Sequence, residues 1–242
     1  MKRDLHNHTI FSDGVNTAEE MVQAAIAAGL KEFGISDHSF TPFDPGYCMS
    51  PDKYPEYVRT LRDLQQKYSG QIRLKCGLEL DYYSDDVPEG LDYIIGSVHY
   101  VEKNGERLAL DANPELFAEI IEKHFGGDAY ALCEAYYATF ADLYHKTKAD
   151  IVGHFDLITK YNESGVFFDE NNGRYRKAWQ KAMLEVLPDI PVFEINYGAF
   201  NKGLRSVPYL SEEMKVFLKE NGGRTIESSD SHSILTIGKF KR

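Results

Sequence analysis

Along the 242-residue chain, short β-rich apolar runs alternate with longer stretches of helical periodicity. The runs predict strands over 3–8 (RDLHNH), 32–38 (EFGISDH), 72–80 (IRLKCGLEL), 92–99 (DYIIGSVH), 150–154 (DIVGH), 191–196 (PVFEIN) and 224–232 (RTIESSDSH). Helices are predicted near 17–28, 52–68, 114–124, 128–146, 171–187 and 211–220. The punctuation agrees. Thr17 and Glu20 form a capping box, Asn113-Pro114 reads as an N-cap followed by a first-turn proline, and Asn221-Gly222-Gly223 ends the last helix. Asn104-Gly105, inside YVEKNGERLAL, marks a β-hairpin after the fourth strand.

Repeated strand–helix alternation predicts a parallel α/β architecture, either a closed or nearly closed barrel or an open doubly wound sheet. Polar placement separates the two. Six of the eight histidines, His6, His8, His38, His99, His154 and His232, fall at C-terminal strand ends, as do Glu79 and Asp230. A barrel assembles its active site from all its strand ends, whereas an open sheet concentrates it at one switch point. The barrel is favoured. His6 with His8, and Asp230 with His232, are spaced to face the same way on a strand. Imidazoles and carboxylates without thiolates point to a catalytic site for zinc, manganese or iron(II).

Each residue taken singly has a plainer explanation. A lone His-x-His is more often structural, Asp37-His38 is an ordinary turn, Glu79 a partnered surface carboxylate and His154 a core histidine. Asp13 before Gly14 is a common turn pair and the weakest candidate alone. Recurrence at six strand ends is what coincidence explains poorly. His124 reads as a helix-terminal cation and His145 as a surface residue.

Composition narrows the class. The net charge of −11 disfavours nucleic acid and anionic lipid as partners, and no apolar run is long enough to span a bilayer. The start MKRDLHNH lacks the apolar core of a secretory signal, and three scattered cysteines form no CxxC pair; both point to the cytoplasm. No linker or repeat divides the chain, so residues 1–242 read as one barrel domain.

In order, DLHNHTIFSDG, GISDH, GLEL, IGSVHY, GHFD and SSDSH resemble the PHP (polymerase and histidinol phosphatase) superfamily. SPDKYPEYVRTLRDLQQKY, LDYIIGSVHYV and GGDAYALCEAYYATFADL are most similar to its monofunctional histidinol-phosphatase branch. The resemblance implies a distorted seven-stranded (β/α)7 barrel holding three divalent metal ions. His6, His8, Glu79 and Asp230 would hold the first. Glu79 would bridge to the second, completed by His99 and His154, while Asp13, His38 and His232 would hold the third. Asp13 enters only through the resemblance.

The expected activity is hydrolysis of a phosphate monoester, L-histidinol phosphate, by in-line attack of a hydroxide held between metals. Asp37 is expected to orient a ligand histidine. Lys160, Lys202 and Arg205 are candidates for a phosphate clamp, although Asn201 stands where relatives often carry an arginine beside the lysine. Three other readings compete. A PHP phosphoesterase acting on nucleotides or another small phosphate ester shares the same ligands. An amidohydrolase calls for a bridging lysine where this chain has Glu79, and a non-catalytic barrel calls for lost ligands, whereas all nine positions hold competent residues. The oligomeric state is not legible.

Overall fold

The computed structural model describes residues 2–240. In chain order the elements are β1 (Arg3–Asp4), α1 (Ala18–Ala27), β2 (Glu32–Ile35), α2 (Tyr54–Lys67), β3 (Arg73–Asp81), β4 (Tyr93–Ser97), β5 (Tyr100–Lys103), β6 (Glu106–Ala109), α3 (Pro114–Phe125), α4 (Ala129–Ala141), α5 (Leu143–Thr147), β7 (Ile151–Val152), α6 (Gly173–Val186), β8 (Val192–Asn196), α7 (Gly198–Asn201), α8 (Glu212–Glu220) and β9 (Arg224–Ser228). Among the described residues seven strands form one sheet in the order β1-β2-β3-β4-β7-β8-β9, with every neighbouring pair parallel. A parallel bridge between Asn7 and Ser231 joins its two edges. The result is a nearly closed, distorted (β/α)7 barrel, as the strand-end pattern predicts.

Local chemistry sets the helices. Thr17 and Glu20 make the reciprocal capping box of α1, and the Asn113 side chain accepts from Leu116 N at 2.7 Å to start α3. The hairpin β5–β6 turns on Asn104 and Gly105, both at positive φ (54° and 81°), as a two-residue loop with this twist requires. The helix expected over 128–146 divides at Asp142. Its last part, α5, packs Leu143 against Gly96 of β4, where an added Cβ would meet the Leu143 side chain at 3.0 Å.

Packing has an outer and an inner part. Outside the sheet, one cluster gathers Met21, Val22, Tyr57, Leu61, Phe33 and Leu78, and a larger one gathers Tyr136, Phe140, Phe155, Trp179, Met183 and Leu218. Inside the barrel lies a small group of Tyr93, Ile95, Ile151, Val192 and Ile226, against which Leu5 packs. Tyr93 fits there because β2 and β3 offer Gly34 and Gly77, whose missing Cβ atoms would collide with its ring. Its hydroxyl donates to the Leu5 carbonyl. This apolar floor closes one end of the barrel and leaves the other to polar residues. Among the described residues, no helix is long and apolar enough to cross a membrane.

Candidate active site

Five of the seven strands end earlier than their sequence patterns. β1 stops at Asp4, β2 at Ile35, β4 at Ser97, β7 at Val152 and β9 at Ser228, so His6, His8, His38, His99, His154, Asp230 and His232 lie just beyond the strands. Only Glu79 stands on a strand proper, β3. The cause is visible in the backbone. Asn7 N donates to Ser36 Oγ, His8 N to Ser231 O and Thr9 N to Asp37 Oδ1, replacing regular ladder bonds with side-chain and bridge partners. Isolated bridges, Asn7 with Ser231 and His38 with Glu79, keep these segments extended enough to aim inward.

Glu79 is the hub. Its carboxylate is buried and lies 3.0 Å from His6 Nε2, 2.9 Å from His38 Nδ1, 2.8 Å from His154 Nε2 and 3.4 Å from His99 Nε2. Asp230 Oδ1 lies 3.2 Å from His8 Nε2 and 3.9 Å from His6 Nε2. Asp13 faces His232 Nε2 at 3.2 Å and His38 Nε2 at 3.7 Å. The His8 ring stacks between those of His38 and His232, with centroids 4.3 and 4.2 Å away. All nine expected ligand residues therefore meet in one cluster. Asp230 adopts positive φ (49°), an unusual conformation for a non-glycine residue, and faces Gly198, where an added Cβ would stand 2.5 Å from its Oδ2.

Burial alone would raise the Glu79 carboxyl, but His6, His38 and the His154 hydrogen bond hold it well below its usual range. Asp230 is likewise pushed down against burial by His6 and His8. Burial and the neighbouring His232 and His38 rings lower His8 to about 3, leaving it neutral with one ring nitrogen free to donate its lone pair. His99 goes the other way: against burial, the Asp81 hydrogen bond and Glu79 raise it to about 9.

The donor set fits divalent metal ions. His6 Nε2, both ring nitrogens of His8, Glu79 Oε2 and His154 Nδ1 are buried without a hydrogen-bond partner. Several of them approach one another closely yet are misaligned for hydrogen bonding, as atoms converging on a shared cation would be. Buried polar atoms left this way are costly, and coordination satisfies them. Among the described residues, three groups have side-chain donor atoms close enough to share an ion: His8, Asp13, His38 and His232; His6, His8 and Glu79; and His38, Glu79 and His99.

Two supporting carboxylates escaped the sequence reading. Glu194 on β8 takes His6 Nδ1 at 2.9 Å, and Asp81 on β3 takes His99 Nδ1 at 3.2 Å, turning each Nε2 toward Glu79. The only signal for Glu194 was an acidic residue within the apolar run PVFEIN. Asp37 supports a different element from the one expected. Its oxygens accept from Thr9 N and Oγ1 and from Ser12 N and Oγ, so it braces the loop carrying Asp13 rather than a histidine ring.

The cluster opens into a cavity of about 370 Å³, a volume suited to a small molecule, lined also by Tyr47, Tyr100, Asp44, Asp111, Lys160 and Lys202. Arg205 does not line it, contrary to expectation. It is buried, and its guanidinium donates to the Thr159 carbonyl and hydroxyl, because a buried cation must find acceptors. Asn201, in place of the expected arginine, donates to Lys239 O at 3.1 Å.

The model of the PHP domain family matches residues 4–196. The chain belongs to the PHP domain family. A relative from Schizosaccharomyces pombe, named "Probable histidinol-phosphatase", is 28% identical over 241 residues, covering 91% of this PHP chain and 76% of its own length. Among solved structures, a chain from Listeria monocytogenes superposes with a TM-score of 0.86 at 20% identity, covering 99% of this chain and 98% of the other. The histidinol phosphate phosphatase of Lactococcus lactis, solved with zinc, L-histidinol and phosphate, gives a TM-score of 0.71 at 22% identity, covering 96% and 87%. These two likenesses bear on the fold.

Proposed function

We propose that this PHP chain is a metal-dependent histidinol-phosphate phosphatase, releasing L-histidinol and phosphate. The observation that carries the reading is the gathering of nine histidine and carboxylate residues at the floor of a small-molecule cavity. The named activity of the S. pombe relative, similar along nearly the whole chain, supplies the substrate. Three ions are proposed: one on His6, His8, Glu79 and Asp230; one on Glu79, His99 and His154; one on Asp13, His38 and His232. Zinc heads the candidates, with manganese and iron(II) compatible with the same donors. When bound, such ions acidify water and neutralise phosphoryl oxygens.

The chain's own residues do the rest. Glu79 holds four imidazoles around one carboxylate, and Glu194 and Asp81 fix the rings of His6 and His99. Lys202 lines the cavity with an exposed side chain and is free to swing onto phosphate oxygens. Lys160 also lines it, anchored on Asp111 at 3.2 Å, and is the less mobile half of the clamp. Residues 1–242 are taken as one barrel domain, supported by a sheet whose strands run from Arg3 to Ser228. A reducing, cytoplasmic setting suits the free Cys48, Cys76 and Cys133.

The test is phosphate release by metal-loaded protein from L-histidinol phosphate, mononucleotides, sugar phosphates and a short single-stranded DNA. The expected result is a kcat/KM for L-histidinol phosphate at least ~100-fold above the others, the margin that one recognised charged group supplies. Equal or better turnover of a nucleotide overturns the substrate assignment.

A further inference from the structure

Apart from the ligand cluster, the cavity wall carries two carboxylates, Asp44 and Asp111. They differ in what already neutralises them. Lys160 Nζ stands 3.2 Å from Asp111 Oδ2 and 2.9 Å from its backbone oxygen. Asp44 has a neutral partner instead, the Tyr100 hydroxyl, which donates to its Oδ2 at 2.9 Å. Among the described residues it forms no ion pair, so it is the uncompensated anion of the cavity wall.

Its position is built rather than incidental. The backbone oxygen of Asp44 receives Cys48 Sγ at 3.8 Å, and Thr41 N in turn reaches that sulfur at 3.2 Å. Phe43, the preceding residue, packs edge-on to Tyr100 at 4.9 Å and lies under the Arg107 guanidinium at 4.7 Å. The loop after β2 is thereby clasped to the β5–β6 hairpin, with Asp44 at the clasp.

We propose that Asp44 determines specificity for the cationic end of the substrate, its carboxylate taking the protonated amine of an aminoalkyl phosphate while the ligand cluster takes the phosphate. The inference rests on the phosphatase reading above. An amino-phosphate ester is dipolar, and this cavity offers a fixed anion on one wall and a cation-binding cluster on its floor. Hydrogen bonds between charged partners are about twice as strong as neutral ones. Tyr47, which lines the same cavity edge-on to His38 at 4.9 Å, offers a flat ring an aromatic neighbour. Asp44 needs no displacement of a resident cation to bind the amine, whereas Asp111 would have to release Lys160.

The experiment compares metal-loaded wild type, Asp44→Asn and Asp111→Asn. The substrates are L-histidinol phosphate, its analogue lacking the amine, and p-nitrophenyl phosphate. Asp44→Asn is expected to raise KM for L-histidinol phosphate about 10–100-fold, the range for losing a charged hydrogen bond, with kcat/KM for the two amine-free esters within about twofold of wild type. An equal loss on all three esters overturns the proposal in favour of a purely structural loop role. So does an amine-selective loss found in Asp111→Asn and absent from Asp44→Asn. Wild-type turnover of p-nitrophenyl phosphate without turnover of L-histidinol phosphate is the distinct failure of the substrate reading. Asp44 is then judged on phosphoethanolamine against ethyl phosphate, where no amine preference lost in Asp44→Asn overturns it.

Discussion

Glu79 shows how much a single carboxylate is asked to do. Four histidines lie within 3.4 Å of it and Ser97 Oγ donates to it at 2.7 Å, so its removal strands several buried rings at once. Glu79→Ala is expected to abolish measurable phosphate release and to lower bound metal, read by elemental analysis of the purified variant. Full activity in Glu79→Ala overturns the metal mechanism. Glu194 acts one step away. Glu194→Gln retains the size of the side chain but weakens its hold on His6 Nδ1, and a loss of about 10–100-fold in metal affinity or activity is expected. A metal titration followed by phosphate release checks it. Sequence made the histidine–carboxylate cluster legible because histidine is scarce and its placement at successive strand ends is improbable by chance. Glu194 and Asp81 were not legible: a carboxylate in a strand looks the same whether it faces solvent or a ring. Arg205 misled for a related reason, since a cation near a site reads as a clamp until its burial against Thr159 is seen.

At the scale of elements, periodicity located every strand of the barrel but placed the ends of five of them too late. Hydrophobic alternation persists where ladder pairing has stopped, since His6, His8 and their neighbours are buried by the site rather than by the sheet. The seat of Leu143, at the start of α5, was hidden because it lies against Gly96, a residue distant in sequence and without a side chain. The same kind of contact seats α7 against Asp230, just beyond the last strand. Gly198→Ala requires the Asp230 carboxylate to move, as the new Cβ would lie 2.5 Å from Oδ2. The expected outcome is an unchanged far-ultraviolet circular dichroism spectrum with kcat reduced at least ~10-fold, as for other small misplacements of reacting groups. Wild-type kcat would show that the segment after the last strand can yield without disturbing the site. In Gly77→Ala the clash falls on Tyr93 instead, and thermal unfolding is expected to report a destabilisation of about 1–3 kcal/mol.

For the molecule as a whole, the polar floor makes stability a function of both metal and pH. A ligand that binds only the folded chain stabilises it by about 2.7 kcal/mol at one hundred times its dissociation constant. For a chain of this length that corresponds to a rise of roughly 5–10 °C in Tm on adding zinc to chelated protein. The pH dependence has a definite sign. His99 is raised from 6.5 to about 9 by Asp81 and Glu79 against its burial, so its contribution to the metal-free fold is complete below 6.5 and is lost as pH rises through about 9. A metal ligand must shed that proton, so metal affinity rises over the same interval. The gap between metal-loaded and chelated Tm is therefore expected to widen from pH 6.5 to 9, measured by scanning calorimetry at fixed free zinc. A gap that narrows over that range contradicts the assignment of His99 as a ligand.

The bridge between Asn7 and Ser231 does more than join the edges of a sheet. Near it, Ser229 N reaches Asp4 Oδ1 at 3.0 Å across 225 residues of chain. His8 stacks with His232 over a comparable separation. No contiguous piece of the polypeptide holds the complete set of donors, so metal capture has to wait for the two ends of the sequence to find each other. The ions thus act as inspectors of tertiary structure: a chain that retains them has already brought its most distant parts together.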